Sequence, residues 1–339
     1  MGELLFHPPR TRPDAIATDD VLLLILDKVL LLRDAVRTSI LSRRWRHLPG
    51  LLSEIVLDVG DFEPEEDDGS KYTLEELIMQ TNATVVEATK SILAHKSQCA
   101  ITYLSVRFYL RDESIDIMRA VDGAMANREV VAAELHFLPE MLDKYCEDDN
   151  MLAYGRRFMT FIDAYPRAFA GLTYLHVQSL RLGESDIPNV LRTCNRLEYL
   201  SLQNCDAGFR SVLQIEHEQL VELDISSCGF EKVELKWLPR HTHLAFRFWI
   251  DSRDHYPLYL DNVPKLWMLH LSNPGTTLHK TSKLSELLSN VVIGELALNF
   301  LCERIWIQPE RQKLLAPLLL NLQVTGIDLT VNGERIGHK

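Results

Sequence analysis

One spaced pattern recurs along the second half of the chain and limits the folds open to it. Leu197-x-x-Leu200-x-Leu202-x-x-Cys205 returns as Leu220-x-x-Leu223-x-Ile225-x-x-Cys228, and in shorter form as Leu172-x-x-Leu175-x-Val177 and Leu266-x-x-Leu269-x-Leu271. The leading leucines stand 25, 23 and 46 residues apart, and the last interval is two periods of 23. The unit missing in that interval is visible as Leu244-x-Phe246-x-Phe248. Looser copies occur at Ile101-x-x-Leu104-x-Val106, Leu135-x-Phe137 and Leu296-x-Leu298-x-Phe300. A repeat this short holds one strand and one return segment, so no copy can bury its apolar side alone. The chain must stack its units side by side into a solenoid.

A strand plus a helix or turn every ~20 to 29 residues, with leucines at these offsets, is the pattern of a leucine-rich repeat. The fold class expected is therefore α/β, with parallel strands and helices or turns between them. Return helices are expected around Ile117, Val121, Ala124 and Met125, and over 187–191. Cys205 and Cys228 stand where the repeat takes Asn or Cys, and are expected to satisfy buried backbone groups at the bend. Strand alternation then gives an outward face along the inner surface of the arc. Tyr174, His176, Tyr199, Gln203, Glu222, Asp224, Arg247, Trp249 and His270 are the residues expected there to meet a protein partner. With Leu244, Phe246, Phe248 and Ile250 pointing inward, Arg247 and Trp249 point out. Exposed Trp, Tyr and Arg are the residues that dominate binding at interfaces.

The N-terminal stretch has another character. Asp19 to Pro49 reads DDVLLLILDKVLLLRDAVRTSILSRRWRHLP, with every position from Val21 to Leu26 apolar. Such a short segment of ~35 residues cannot enclose that much hydrocarbon. Something else must cover the surplus, either the rest of the chain or a partner. The run Arg33 to Pro49, with Ser42-Arg43-Arg44-Trp45 at its heart, resembles the F-box motif of plant F-box proteins with leucine-rich repeats, and Asp19 to Leu23 resembles that motif's opening helix. The resemblance implies a short all-helical module over 14–50 that binds a Skp-type adaptor and, through it, a cullin scaffold. Val21, Ile25, Leu26, Leu31, Leu32, Val36, Leu41, Arg43 and Trp45 would then form its core and adaptor contact. Two prolines of the motif are missing here: Ala17-Thr18 and Val29 to Leu32 stand in their places. Both fall at helix starts, which proline helps to define.

The remaining organisation follows from local pattern. Residues 1–13 are expected to form a disordered tail. A linker is expected over 51–98, with a short strand at Glu54 to Val59, an acidic loop, and a helix from Thr73 to His95. The repeats are expected over 99–331, the last strand spanning Val324 to Val331, with a tail over 332–339.

Net charge is −12, half of it from Asp61, Glu63, Glu65, Glu66, Asp67 and Asp68. No basic arm or face offsets this, which argues against nucleic acid as a ligand. The apolar stretch of 21–32 is too short to span a bilayer and is interrupted by Asp27 and Lys28, so no membrane partner is expected. Six dispersed cysteines without a CxxC pair suit reduced thiols in the nucleus or cytoplasm. Phosphate-cradle, nucleophile-elbow and HExxH spacings are absent. His241-x-His243 offers too few ligands for a metal, so neither metal nor cofactor is expected. The F-box resemblance implies a non-catalytic receptor subunit of an SCF-type ubiquitin ligase. The alternative is a repeat scaffold that no longer engages the adaptor, and the missing prolines favour it.

Overall fold

The computed structural model describes residues 51–63, 73–94, 99–141, 143–249, 257–273, 283–289, 291–300, 308, 310, 319–324, 330–331 and 334–335. The Asp19 to Pro49 segment lies outside these residues, as do all nine side chains expected to contact the adaptor. The described chain is built on a ten-stranded sheet in which every neighbouring pair is parallel, ordered β1-β2-β3-β4-β5-β7-β9-β11-β12-β13. Its strands are β1 (Glu54–Asp58), β2 (Ile101–Tyr109), β3 (Val130–Leu138), β4 (Tyr174–Gln178), β5 (Tyr199–Gln203), β7 (Glu222–Ser226), β9 (His243–Arg247), β11 (Met268–Asn273), β12 (Ile293–Phe300) and β13 (Leu319–Val324). Parallel neighbours cannot be joined by a hairpin, so successive strands need crossover connections.

The crossovers change in kind along the chain. Early ones are helical: α1 (Leu74–Leu93), α2 (Ile115–Asn127), α3 (Asp148–Ala164), α4 (Pro166–Ala170) and α5 (Asp186–Thr193). After β5 they become short strands, β6 (Val212–Glu216), β8 (Lys232–Trp237) and β10 (Leu258–Leu260), which pair into a parallel sheet of their own. A four-residue α6 (Leu284–Leu287) precedes β12. Leu213, Ile215, Val233 and Leu235 join the same core as Leu200, Leu223 and Leu244, so the second sheet closes the hydrophobic layer that the helices close earlier. Expectation had allowed only helices or turns here. The alternation of β6, exposed and buried by turns from Val212 to Glu216, is a strand signal present in the sequence.

Three boundaries differ from expectation. Glu54 to Asp58 is not linker: it pairs along its length with β2 and forms the first rung of the sheet, burying Ile55 and Leu57. Helix α1 packs behind that rung, its start fixed by a capping box between Thr73 and Glu76. At the other end the last rung among the described residues is Leu319–Val324. Thr330–Val331 (β14), within the expected last strand, instead pairs antiparallel with Glu334–Arg335 (β15), which lies in the expected tail.

A single backbone device repeats at the strand ends. Ser179, Asn204, Ser227 and Phe248 each stand one residue beyond β4, β5, β7 and β9, and each has positive φ, between 49° and 57°. Each donates its N–H to a carbonyl at the end of the next strand, at Gln203, Ser226, Arg247 and Ser272, over 2.8 to 3.0 Å. The left-handed step costs energy for a residue with a side chain, and the stacked hydrogen bonds hold it in place. It also breaks the alternation of the strand. The following residue turns inward, giving buried Leu180, Cys205, Cys228 and Trp249 in one column.

Trp249 is thus corrected from face to core. It is 5% exposed and stacks on Phe246 at 5.0 Å with the rings 3° from parallel, while Phe248 is 43% exposed. Counting by two from Leu244 fails because Phe248 is the left-handed residue. Counting by the full template puts Trp249 where Cys205 and Cys228 stand. Those two thiols donate to main-chain carbonyls, Cys205 to Gln203 at 3.2 Å and Cys228 to Leu202 and Ser226 at 3.4 Å.

The same template places His241 in the column of Leu172, Leu197, Leu220 and Leu266. It is fully buried, and neither ring nitrogen meets a partner among the described residues. Burial, helped by His243 nearby, pushes its pKa down to about 4. The folded state therefore holds His241 neutral where the unfolded chain protonates it near 6.5. Stability from this site is present above pH 6.5 and is lost as pH falls toward 4, by on the order of 3 kcal/mol. His241→Leu is expected to raise the melting temperature and to flatten the pH dependence over that window, read as the difference between variant and parent. Gly155 of α3 marks a second tight point: a Cβ there would lie 1.9 Å from the carbonyl oxygen of Arg181. Gly155→Ala is expected to destabilise the fold by about 1–3 kcal/mol in denaturant titration, because the obstacle is backbone.

Candidate protein-binding face

Strand alternation sends one set of side chains into the core and the other to the open side of the ten-stranded sheet. Parallel register aligns the open set into rows that cross the strands. The first row runs Val56, Ser105, Glu134, Tyr174, Tyr199, Glu222, His243, Met268 and Glu295. The second runs Asp58, Arg107, His136, His176, Ser201, Asp224, Ala245, His270 and Ala297, by the same register. In the third, Gln178, Gln203, Ser226, Arg247, Ser272 and Asn299 follow one another.

Eight of the nine residues expected on this face lie on it, half-buried by their neighbours: Tyr174, His176, Tyr199, Gln203, Glu222, Asp224, Arg247 and His270. Trp249 is the exception. Tyr103, Glu134, His136 and Arg107 were missed. Applying the same parity to the looser copies at Ile101 and Leu135 finds all four.

An aromatic ladder occupies the centre. Tyr174 and Tyr199 stack at 4.4 Å, 8° from parallel, and His136 lies 4.7 Å from Tyr174 on its other side. The His136 and His176 rings are 5.7 Å apart. His176 Nδ1 meets Ser201 Oγ at 2.9 Å. Burial lowers the pKa of His136 and His270, and takes that of His176 to about 4, with His136 and Arg107 adding repulsion. All three imidazoles are therefore neutral at pH 7. The Tyr103 hydroxyl donates to Glu134 at 2.7 Å, and burial with that carboxylate pushes its pKa up to about 12.

Charge is distributed unevenly between rows. In the second and third rows each arginine has an aspartate: Arg107 lies 3.3 Å from Asp58, and Arg247 donates to Asp224. The first row holds Glu134, Glu222 and Glu295 and no arginine or lysine. At the rim, Asp143 accepts from Gln178 and Ser179 at 2.8 Å and from Gln203 at 3.1 Å, tying the ends of β4 and β5 together.

No three His, Cys, Asp or Glu side chains gather as a metal site among the described residues, and none of the described helices is long and apolar enough to cross a membrane. His241 and His243 point to opposite sides of the strand, one into the core and one onto the open face. A groove of about 560 Å³ lies on the other side of the molecule between α5 and β6, lined by Leu191, Arg192, His217 and Trp237. Its charged lining is of mixed sign, with Glu216, Glu218 and Arg192.

This open, aromatic and charged face offers an extended surface. No curated protein matches the chain. Residues 133–296, from β3 to β12, match the family model described as "FBD-associated F-box protein At5g56370, LRR repeats", so the rows lie on a leucine-rich-repeat solenoid similar to that of an F-box protein family.

Proposed function

We propose that the chain is the substrate-recognition subunit of an SCF-type ubiquitin ligase. The Asp19 to Pro49 segment would bind a Skp-type adaptor and thereby a cullin scaffold, and the open face of the sheet would hold a protein substrate. Catalysis would belong to other subunits, and this chain would supply proximity by holding a substrate lysine within reach of the ubiquitin donor. The observation that carries the reading is the joining, in one chain, of an F-box-like apolar segment and a repeat sheet similar to that of F-box proteins. The solvent-facing Tyr174 and Tyr199 pair adds support, because large rigid aromatics on an open face are what protein interfaces use. Nucleus and cytoplasm are the compartments proposed.

The scaffold reading, with no adaptor bound, rests on Ala17-Thr18 and Val29 to Leu32 in place of the motif's prolines. Co-expression with a Skp-type adaptor separates the two. Stoichiometric co-purification is the outcome expected, and a chain that purifies without the adaptor would leave the scaffold reading. Trp45→Ala is expected to reduce adaptor capture by tenfold or more, about 1.4 kcal/mol. Unchanged capture would remove Trp45 from the contact.

A further inference from the structure

The first row of the open face has a composition and a spacing that select a partner. Its charged members are Glu134, Glu222 and Glu295, and the two arginines of the face are paired with aspartates in other rows. Among the described residues no arginine or lysine pairs with any of the three glutamates. Glu134 keeps only the neutral donor Tyr103 and the imidazole of His136, whose Nε2 is 3.7 Å away. Between Glu134 and Glu222 stand the stacked rings of Tyr174 and Tyr199. Tyr174 covers one face of Tyr199, and Glu222 is the neighbour on the other side. A ring face beside a carboxylate suits a guanidinium, which stacks on the one and hydrogen-bonds the other.

The spacing is regular. Glu134 to Glu222 is three strand steps (β3, β4, β5, β7), and Glu222 to Glu295 is three more (β7, β9, β11, β12). At ~4.8 Å per step each interval is about 14 Å, which an extended peptide at ~3.4 Å per residue covers in about four residues. Asp224 is held by Arg247 and its Oδ1 is buried, so the carboxylates of the face left for a partner are those of the first row.

We infer that the open face binds an extended, arginine-bearing segment of a protein, laid across the strands along the Glu134–Tyr174–Tyr199–Glu222–Glu295 row, with cations about four residues apart. This rests on the receptor reading above and names the class of substrate that the face selects. Acidic segments and nucleic acids are rejected by the same carboxylates.

The test uses the full chain and a fluorescein-labelled glycine–serine peptide with arginines at every fourth position, read by fluorescence polarisation. Binding is expected, with affinity that falls as salt rises. The same peptide carrying glutamates should not bind, and arginines moved to adjacent positions should bind more weakly. Glu222→Gln and Tyr199→Leu are each expected to weaken binding about threefold or more, at unchanged melting temperature. Absence of binding, equal binding of the acidic peptide, or full affinity in the Glu134→Gln, Glu222→Gln, Glu295→Gln triple variant would overturn the inference. Adaptor capture by the same preparations keeps the two readings apart. A chain that takes the adaptor and ignores the basic peptide defeats only this inference, and one that takes the peptide without the adaptor defeats only the ligase assignment.

Discussion

Every described rung depends on a neighbour, because a strand of five residues with two leucines has nowhere to put them alone. The parallel backbone ladder fixes each strand beside the next, and the inward leucines then touch above and below as well as behind. The hydrogen bonds from Ser179, Asn204, Ser227 and Phe248 extend that ladder one residue past the strands. They also turn the next residue inward, adding a third buried position to each rung. The column Leu180, Cys205, Cys228 and Trp249 exists only because of that turn.

The back of the sheet tolerates more variety than the front. Helices cover it as far as α5, and strands cover it from β6 to β10, yet both deliver apolar side chains to one core. The change needs little: a return segment of five residues with two inward positions does the work of a helix turn. His241 shows the limit of that tolerance. A polar ring in a leucine column survives by staying neutral, at a cost that grows as the medium becomes acidic.

The open face inherits its order from the same ladder. Since register is unbroken across ten strands, side chains far apart in sequence form straight rows. Sorting charge by row follows: arginines meet aspartates in two rows, and the glutamates of the first row are left to the stacked tyrosines. The imidazoles near them stay neutral at pH 7, so they do not cancel that charge.

Much of this was legible in the leucines. Their spacing gave the strands, the inward set and eight of nine face residues, because alternation in a strand is a local property of the backbone. The template also held the answer for Trp249 and His241, through the Cys and leading-leucine columns. What local pattern could not give was pairing. That Glu54–Asp58 is the first rung, that β6, β8 and β10 form a second sheet, and that Glu134, Glu222 and Glu295 share one row are facts of register between distant segments. Sequence determines which side of its own strand a residue takes; only tertiary structure decides whose side chain stands next to it, since that choice is made by hydrogen bonds between strands that lie far apart along the chain.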